Sequence, residues 1–401
     1  MGTVYLHVGT MKSGTTFIQR VLDRHREALA RQGIAWFGTS VTNPAVQDLL
    51  AGPMQMPGTE GSWQRLARSI RDHDGDAVVS MELLGPAPPR VRARLADSLR
   101  PHDLHVVVTM RDITRIAVSH WQEATQNRSQ LGWGEFAERI SSSAHVPPGE
   151  RGRSFWRHHD VPALLTRYAD IVDPARMTVV PVPITRGDAS VTWTRFASVL
   201  GAEGVGRVPN DGRNESLGAA SAELMIRVNA RTEDLDWAHY RRGVKGPLAK
   251  RTLGNRVADE PRYGLDPVQH AVLRDKALAM VDAIANSAAT VVGDLTDVVP
   301  PEHPADASFT TDDLTDGMML DAALDGLSGL AQMASDLRLE RDELRVRVAE
   351  LETSAVTTET SDSSPSGRRA RVLLRRIPGA PEAVRRLRRM RSGPGSHTAD
   401  R

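Results

Sequence analysis

The chain has 401 residues, 40% of them hydrophobic, with 51 basic and 50 acidic side chains and a net charge of +1. This length allows one large α/β domain with added segments, or two domains, and the balanced charge argues against a nucleic-acid-binding protein. The absence of cysteine excludes disulfides and thiolate metal sites. No signal peptide, myristoylation pattern or membrane-length apolar run is visible, so we expect a cytoplasmic protein.

Four apolar runs predict strands that are buried on both faces. They are TVYLHV (3–8), DAVVSMELL (76–84), LHVVVTMRD (104–112) and RMTVVPVPI (176–184). Helical patterns cover 16–31 after the first run and 113–126 after the third. Strands that alternate with helices predict an α/β fold with a central parallel sheet flanked by helices. Because ligands bind beyond the carboxyl ends of such strands, residues placed there are candidates for a site.

The composition changes beyond residue 300. We predict an α/β domain at 1–300, a linker at 301–318, a coiled-coil helix at 319–352 and a disordered arginine-rich tail at 353–401. From residue 368 onward the tail carries 11 arginines against two acidic residues. Such a tail can bring the protein to the anionic inner face of a membrane, or it can remain solvated.

A heptad pattern runs through the predicted helix at 319–352. Position a is filled by Leu320, Leu327, Ala334, Arg341 and Val348, and position d by Ala323, Leu330, Leu337, Leu344 and Leu351. This pattern indicates a coiled coil between copies of the chain, that is, a homo-oligomer. The alternative is a helix that packs back on its own domain.

The stretch HVGTMKSGTT joins the first predicted strand to the first predicted helix. Glycines let a backbone approach an anion, and the free N–H groups and dipole of a helix N-terminus attract it. We predict phosphate contacts from Gly9, Thr10, Lys12, Ser13, Gly14, Thr15 and Thr16. The two glycines have Walker A spacing, but Thr15 stands where the Walker lysine belongs, which weakens an ATPase or GTPase interpretation. The remaining alternative is a strand–turn–helix joint without a ligand.

A lysine before the second glycine, followed by two threonines, resembles the 5′-phosphosulfate loop of sulfotransferases that use 3′-phosphoadenosine 5′-phosphosulfate (PAPS). The second motif of that family is an arginine at a strand end with a serine eight residues later. The stretch TMRDITRIAVSHWQ supplies Arg111 and Ser119 at this interval. Further similarity to bacterial sulfotransferase-family proteins lies in 153–168, 179–184 and 212–229. Met11 and Ile113 depart from the pattern, because the family often has proline at these positions.

The resemblance implies a P-loop-like sulfotransferase fold that transfers a sulfuryl group from PAPS to a hydroxyl or amine and releases PAP. It implies that Lys12 stabilises the leaving phosphate oxygen, while Thr15 and Thr16 hold the 5′-phosphate. Arg111 and Ser119 would hold the 3′-phosphate, with the guanidinium as a planar charged fork. Arg213 would close over the nucleotide, and no metal is required.

The acceptor must lose a proton, so the reaction needs a base. Glu82 is the first candidate, because it lies at the end of the predicted strand 76–84 and some carbohydrate sulfotransferases use a glutamate in that region. The alternative for Glu82 is a surface or capping carboxylate. His158 and His159 are the second candidates, although an adjacent pair is also typical of one buried and one surface histidine.

Three classes of function remain open at this point. The first is a PAPS-dependent sulfotransferase whose acceptor is a carbohydrate or glycoconjugate such as a glycolipid, or else another lipid or a small metabolite. The second is a P-loop kinase or nucleotidase that uses ATP, in which Arg111 and Ser119 have no role. The third is a non-catalytic scaffold that acts through the coiled coil and the basic tail.

Overall fold

The computed structural model describes residues 2–51, 58–144, 153–183, 189–206, 216–304 and 309–361, with the backbone alone at 153–154, 189 and 353–361. The described strands are β1 (Thr3–His7), β2 (Ile34–Trp36), β3 (Asp76–Ser80), β4 (Asp103–Met110), β5 (Met177–Pro181) and β6 (Thr290–Val291). They form one sheet in the order β2-β3-β1-β4-β5-β6, and every neighbouring pair is parallel. The predicted α/β class with a central parallel sheet is therefore confirmed.

Helices connect the strands and continue beyond the last of them. The α-helices in the described part are α1 (Thr15–Arg24), α2 (Arg26–Arg31), α3 (Thr39–Leu50), α4 (Ser62–Arg71), α5 (Pro89–Leu99), α6 (Ile113–Gln126), α7 (Trp133–Ser142), α8 (Arg153–His159), α9 (Val161–Tyr168), α10 (Ala189–Val199), α11 (Ala219–Arg231), α12 (Trp237–Tyr240), α13 (Pro267–Ala285) and α14 (Asp316–Ser361). Short 3₁₀ helices lie at Glu82–Leu84, Pro174–Arg176, Leu253–Ala258, Leu295–Val298 and Thr311–Asp313. A π-helix spans Arg241–Thr252.

Three local predictions differ from this structure. The predicted strand 76–84 ends at Ser80, and Glu82 begins a 3₁₀ helix instead of closing the strand. The predicted helix 16–31 is interrupted at His25, which has φ −105° and ψ 19° and separates α1 from α2. Strands β2 and β6 were missed, because two or three residues are too few to show a periodic pattern and only pairing with a neighbour defines them.

The sheet is covered on both faces, which explains its continuous apolar strands. Successive residues of β4 alternate between two cores: Val106 and Val108 enter one, and Val107 enters the other. The first core also contains buried residues of α3, α4, α5, α9 and α13, and the second contains those of α1 and α10. Helices on both sides leave the strand ends as the free edge at which loops can build a site.

The long helix α14 begins at Asp316, inside the predicted linker, and ends at Ser361, nine residues beyond the predicted limit of 352. The described chain divides into two compact units, with a boundary after Gly329. Within the first unit, Met319 and Ala322 of α14 pack against Ala220 of α11. The tail from 362 onward lies outside the described residues. None of the helices described is sufficiently long and apolar to cross a membrane.

Candidate phosphate-binding site

The glycine loop occupies the centre of the sheet at its carboxyl edge. It follows β1, which pairs with β3 on one side and β4 on the other. Glu82 lies just beyond the end of β3, and Arg111 lies just beyond the end of β4. The chain runs from β1 first to one side of the sheet and then to the other, so the loop lies at a topological switch point. The topology therefore places three predicted site residues, Lys12, Glu82 and Arg111, around one crevice.

The loop backbone is held in a shape that its sequence makes possible. Gly9 and Gly14 have φ of +63° and +92°, in the left-handed region that favours glycine. A Cβ on Gly9 would lie 3.0 Å from both Glu82 Cβ and Thr15 Oγ1, so a side chain there would crowd the loop. Lys12 has φ +64° although it carries a side chain. Such conformations concentrate at functional sites, where the surrounding structure imposes them.

A chain of buried polar groups supports the loop from below. His7 lies 2.8 Å from Ser80 Oγ through Nδ1 and 3.1 Å from Thr109 Oγ1 through Nε2, so it links three strands. Burial lowers the pKa of His7 to about 3, which keeps the ring neutral. Ser13 Oγ donates to the Thr10 carbonyl oxygen at 2.6 Å and lies 2.6 Å from Thr109 Oγ1. The Ser13 hydroxyl, predicted to bind phosphate, is thus fully buried and engaged with the loop itself.

The N-terminus of α1 offers unoccupied hydrogen-bonding capacity to an anion. Its N-cap residue Gly14 provides no side-chain hydrogen bond, and no acidic residue occupies the first turn. The buried hydroxyl oxygens of Thr10 and Thr15 have no hydrogen-bond partner among the described residues, while Thr16 is exposed. Because buried hydroxyls are normally paired, these two retain hydrogen-bonding capacity beside the loop. By contrast, Asp112 caps α6 by accepting from Thr114 N–H at 2.8 Å.

Lys12 forms an ion pair that the sequence analysis did not predict. Its Nζ lies 2.8 Å from Glu123 Oε2, and the two side chains are 27% and 35% exposed. Burial by itself raises the pKa of Glu123, but the charge of Lys12 and its hydrogen bond lower it overall. Glu123 is one helical turn after Ser119 on α6, so the i, i+4 spacing could have signalled it. The loop lysine is therefore tethered to α6.

Arg111 and Ser119 lie on the β4–α6 side of the loop. Arg111 Nη1 donates a long hydrogen bond of 3.4 Å to the Lys12 carbonyl oxygen, so its guanidinium is beside the loop. Ser119 Oγ donates to the Arg115 carbonyl oxygen at 3.0 Å and remains partly exposed. A hydroxyl in this position keeps its oxygen lone pairs for a further donor. Arg111 is thus at the edge of the crevice, and Ser119 lies one helical turn before Glu123 on α6.

Glu82 follows β3, so it lies on the side of the loop opposite to Arg111, which follows β4. Burial raises its pKa, and repulsion from Glu123 adds to this, although a backbone hydrogen bond and the charge of Lys12 act in the other direction. Glu82 lies against the loop, because a Cβ built on Gly9 would be 3.0 Å from Glu82 Cβ. A carboxyl group with a raised pKa is better matched to accepting a proton near neutral pH than an ordinary surface glutamate.

Three histidines form a cluster behind Glu123. His120 Nδ1 lies 3.0 Å from His159 Nε2, so one of the two nitrogens carries the shared proton. Burial, with repulsion from His158, lowers the pKa of His120 to about 4. His159 is buried, as one member of an adjacent pair is expected to be, and His158 is partly exposed, with its ring centroid 6.2 Å from that of His120. His120, which the sequence analysis missed, is one helical turn from Glu123 on α6. The ring contacts of His158, a predicted base, are with His120 and His159.

A second lysine, Lys245, lies on the π-helix. Lys245 donates to Asn127 Oδ1, and burial followed by repulsion from Lys250 lowers its pKa. Attraction by Glu123 raises the pKa of Lys245 in part, and repulsion by Lys12 lowers it further. Lys12 and Arg111 beside an uncapped helix N-terminus suit an anionic ligand with more than one phosphate.

Arg213, predicted to close over the nucleotide, lies outside the described residues. Among the residues that are described, no group of three or more histidine or acidic side chains could hold a metal ion. No protein-family model, curated protein or solved structure matches this chain.

Proposed function

We propose that the protein is a sulfotransferase that takes PAPS as its sulfuryl donor. The observation that carries this proposal is the loop after β1, where an uncapped helix N-terminus, two unpartnered buried threonine hydroxyls and Lys12 converge. These groups fit a phosphate, because each can donate to its oxygens. Arg111, beside the loop, provides the further cation that a second phosphate requires.

The residues divide into two phosphate-binding groups. Backbone N–H groups of the loop, with Thr10, Thr15 and Thr16, would hold the 5′-phosphosulfate, and Ser13 would act by keeping the loop in shape. Arg111 and Ser119 would hold the 3′-phosphate, which distinguishes PAPS from ATP. ATP use by a kinase or nucleotidase leaves this second group without a role, so we favour PAPS over that alternative.

The chemistry needs a positive charge at the leaving oxygen and a base at the acceptor. The sulfur forms a bond to the acceptor oxygen while its bond to the 5′-phosphate oxygen breaks, and PAP leaves with the bonding electron pair. Lys12 would balance the charge that develops on this oxygen. Glu82, whose pKa is raised by burial, would take the acceptor proton. Glu123 would hold Lys12 in place before the donor binds.

For the acceptor we propose a hydroxyl of a carbohydrate, a glycolipid or a small molecule, with an amine as the further option. We also propose a cytoplasmic location in which the arginine-rich tail brings the protein to the inner membrane face. The net charge of +1 gives no support to a nucleic-acid partner.

The decisive experiment is calorimetric titration of the full chain with PAP, ADP and ATP. We expect PAP to bind at least tenfold more tightly than ADP, and this preference to be lost in Arg111→Ala. Arg139→Ala is the matched control, since Arg139 is an exposed arginine on α7 paired with Glu135. Equal or tighter binding of ADP or ATP by the wild type would refute the PAPS assignment.

A further inference from the structure

In the part of the second unit that the structure describes, α14 is exposed to solvent. From 334 to 352 every side chain of α14 is exposed. Leu337, Leu344 and Leu351 are 65%, 56% and 65% exposed. Large apolar side chains that recur in one stripe of a solvated helix indicate an interaction surface, because their burial against a partner is favourable.

The stripe has the period and width of a coiled-coil seam. Leucine occupies every seventh position, at Leu330, Leu337, Leu344 and Leu351. The intervening a positions hold Ala334, Arg341 and Val348. A helix that packs on a globular domain needs a broader face than a and d alone, whereas supercoiled helices need only these two. Leucine at d with valine at a favours two strands.

We infer that the partner is a second copy of this chain, parallel and in register. In that arrangement position g of one helix meets position e of the next heptad on the other. Glu340 then meets the partner's Arg345, and Arg347 meets the partner's Glu352. Each pair occurs twice by symmetry, and every one joins opposite charges. An antiparallel pair with 334–351 aligned loses this match, because Arg338 then meets the partner's Arg345.

Arg341 specifies the register further. A single polar residue at an a position costs stability but selects the alignment in which the two polar side chains lie level. A stagger of one heptad sets the two guanidiniums against Ala334 and Val348, where their charges lose water without gaining a partner.

Light scattering on the full chain tests whether the seam joins two copies. We expect a dimer for the wild type and a monomer for the double variant Leu337→Asp, Leu344→Asp. Leu339→Asp is the matched control, because Leu339 is 62% exposed on the same helix but occupies position f. A monomeric or larger wild type, or a dimeric double variant, would overturn the inference. The seven tryptophans all precede residue 300, so unchanged fluorescence shows that the first unit stays folded.

Orientation is tested by single cysteines, because the chain has none of its own. Leu351→Cys should form an interchain disulfide with itself under mild oxidation, and Ser335→Cys, on the outer position b, should not. If Ala334→Cys and Leu351→Cys cross-link only when mixed, the pair is antiparallel and the inference is wrong.

Charge reversal tests the pairing of positions g and e. Glu340→Arg should raise the dimer dissociation constant about tenfold, and adding Arg345→Glu should return it to the wild-type value.

Discussion

The ion pair between Lys12 and Glu123 predicts that removing an acidic charge tightens nucleotide binding. The proposed 5′-phosphosulfate must share or take over the lysine that Glu123 holds, with Nζ and Oε2 2.8 Å apart. Because both side chains are about one-third exposed, solvent screening limits the pair to about 1 kcal/mol. The variant Glu123→Gln keeps the shape but removes the competing charge. It should therefore bind PAP about fivefold more tightly.

Calorimetry at two salt concentrations measures this effect. The gain should shrink as ionic strength rises, since the interaction is electrostatic and partly exposed. Glu223→Gln is the control, because Glu223 pairs with Arg227 on α11 and its loss should leave PAP affinity unchanged. The gain should also disappear when Lys12→Met is present in the same chain, as a double-mutant cycle requires. Unchanged or weaker PAP binding by Glu123→Gln would refute the competition between carboxylate and phosphate.

Four further predictions follow from the loop and its surroundings. Lys12→Ala should raise the activation free energy of sulfuryl transfer by about 3 kcal/mol, measured from kcat with radiolabelled PAPS. Glu82→Gln should abolish sulfuryl transfer but retain PAP binding, and transfer by the variant would exclude Glu82 as the base. Wild-type activity should rise as the pH increases through the raised pKa of Glu82. Gly9→Ala should lower the unfolding free energy by about 1–3 kcal/mol more than Gly33→Ala, because Gly33 shares the positive φ but has open space around it; equal urea midpoints would contradict the crowding at Gly9. The wild-type free energy of unfolding should fall as pH drops from 6.5 towards 4, because unfolded His120 takes up a proton that the folded ring, with a pKa of about 4, resists. In urea titrations over this pH range, His120→Gln should reduce that fall by up to about 3 kcal/mol. An unaltered pH dependence would show that the ring titrates normally.

Local chemistry was sufficient to predict four of the six described strands, the main helix at the site and the loop. The run at 104–112 and the pattern at 113–126 correspond to β4 and α6, because long apolar runs and a helical period depend on neighbours in sequence. The position of the glycine loop between β1 and α1 was predictable for the same reason, since positive φ at Gly9 and Gly14 is a local property. The heptad of α14 is likewise readable without any tertiary contact.

Tertiary structure decided which of these residues act together. The pairing of Lys12 with Glu123 joins positions 111 residues apart, and it depends on how α6 lies against the loop. Ser13 was predicted as a ligand from its type, but the partner Thr109 that draws its hydroxyl inward comes from the neighbouring strand. His120 meets His159 for a similar reason, across two helices. Sequence periodicity specifies which face of an element is buried, whereas the side chains that meet across a crevice are set by the packing of elements far apart in the chain.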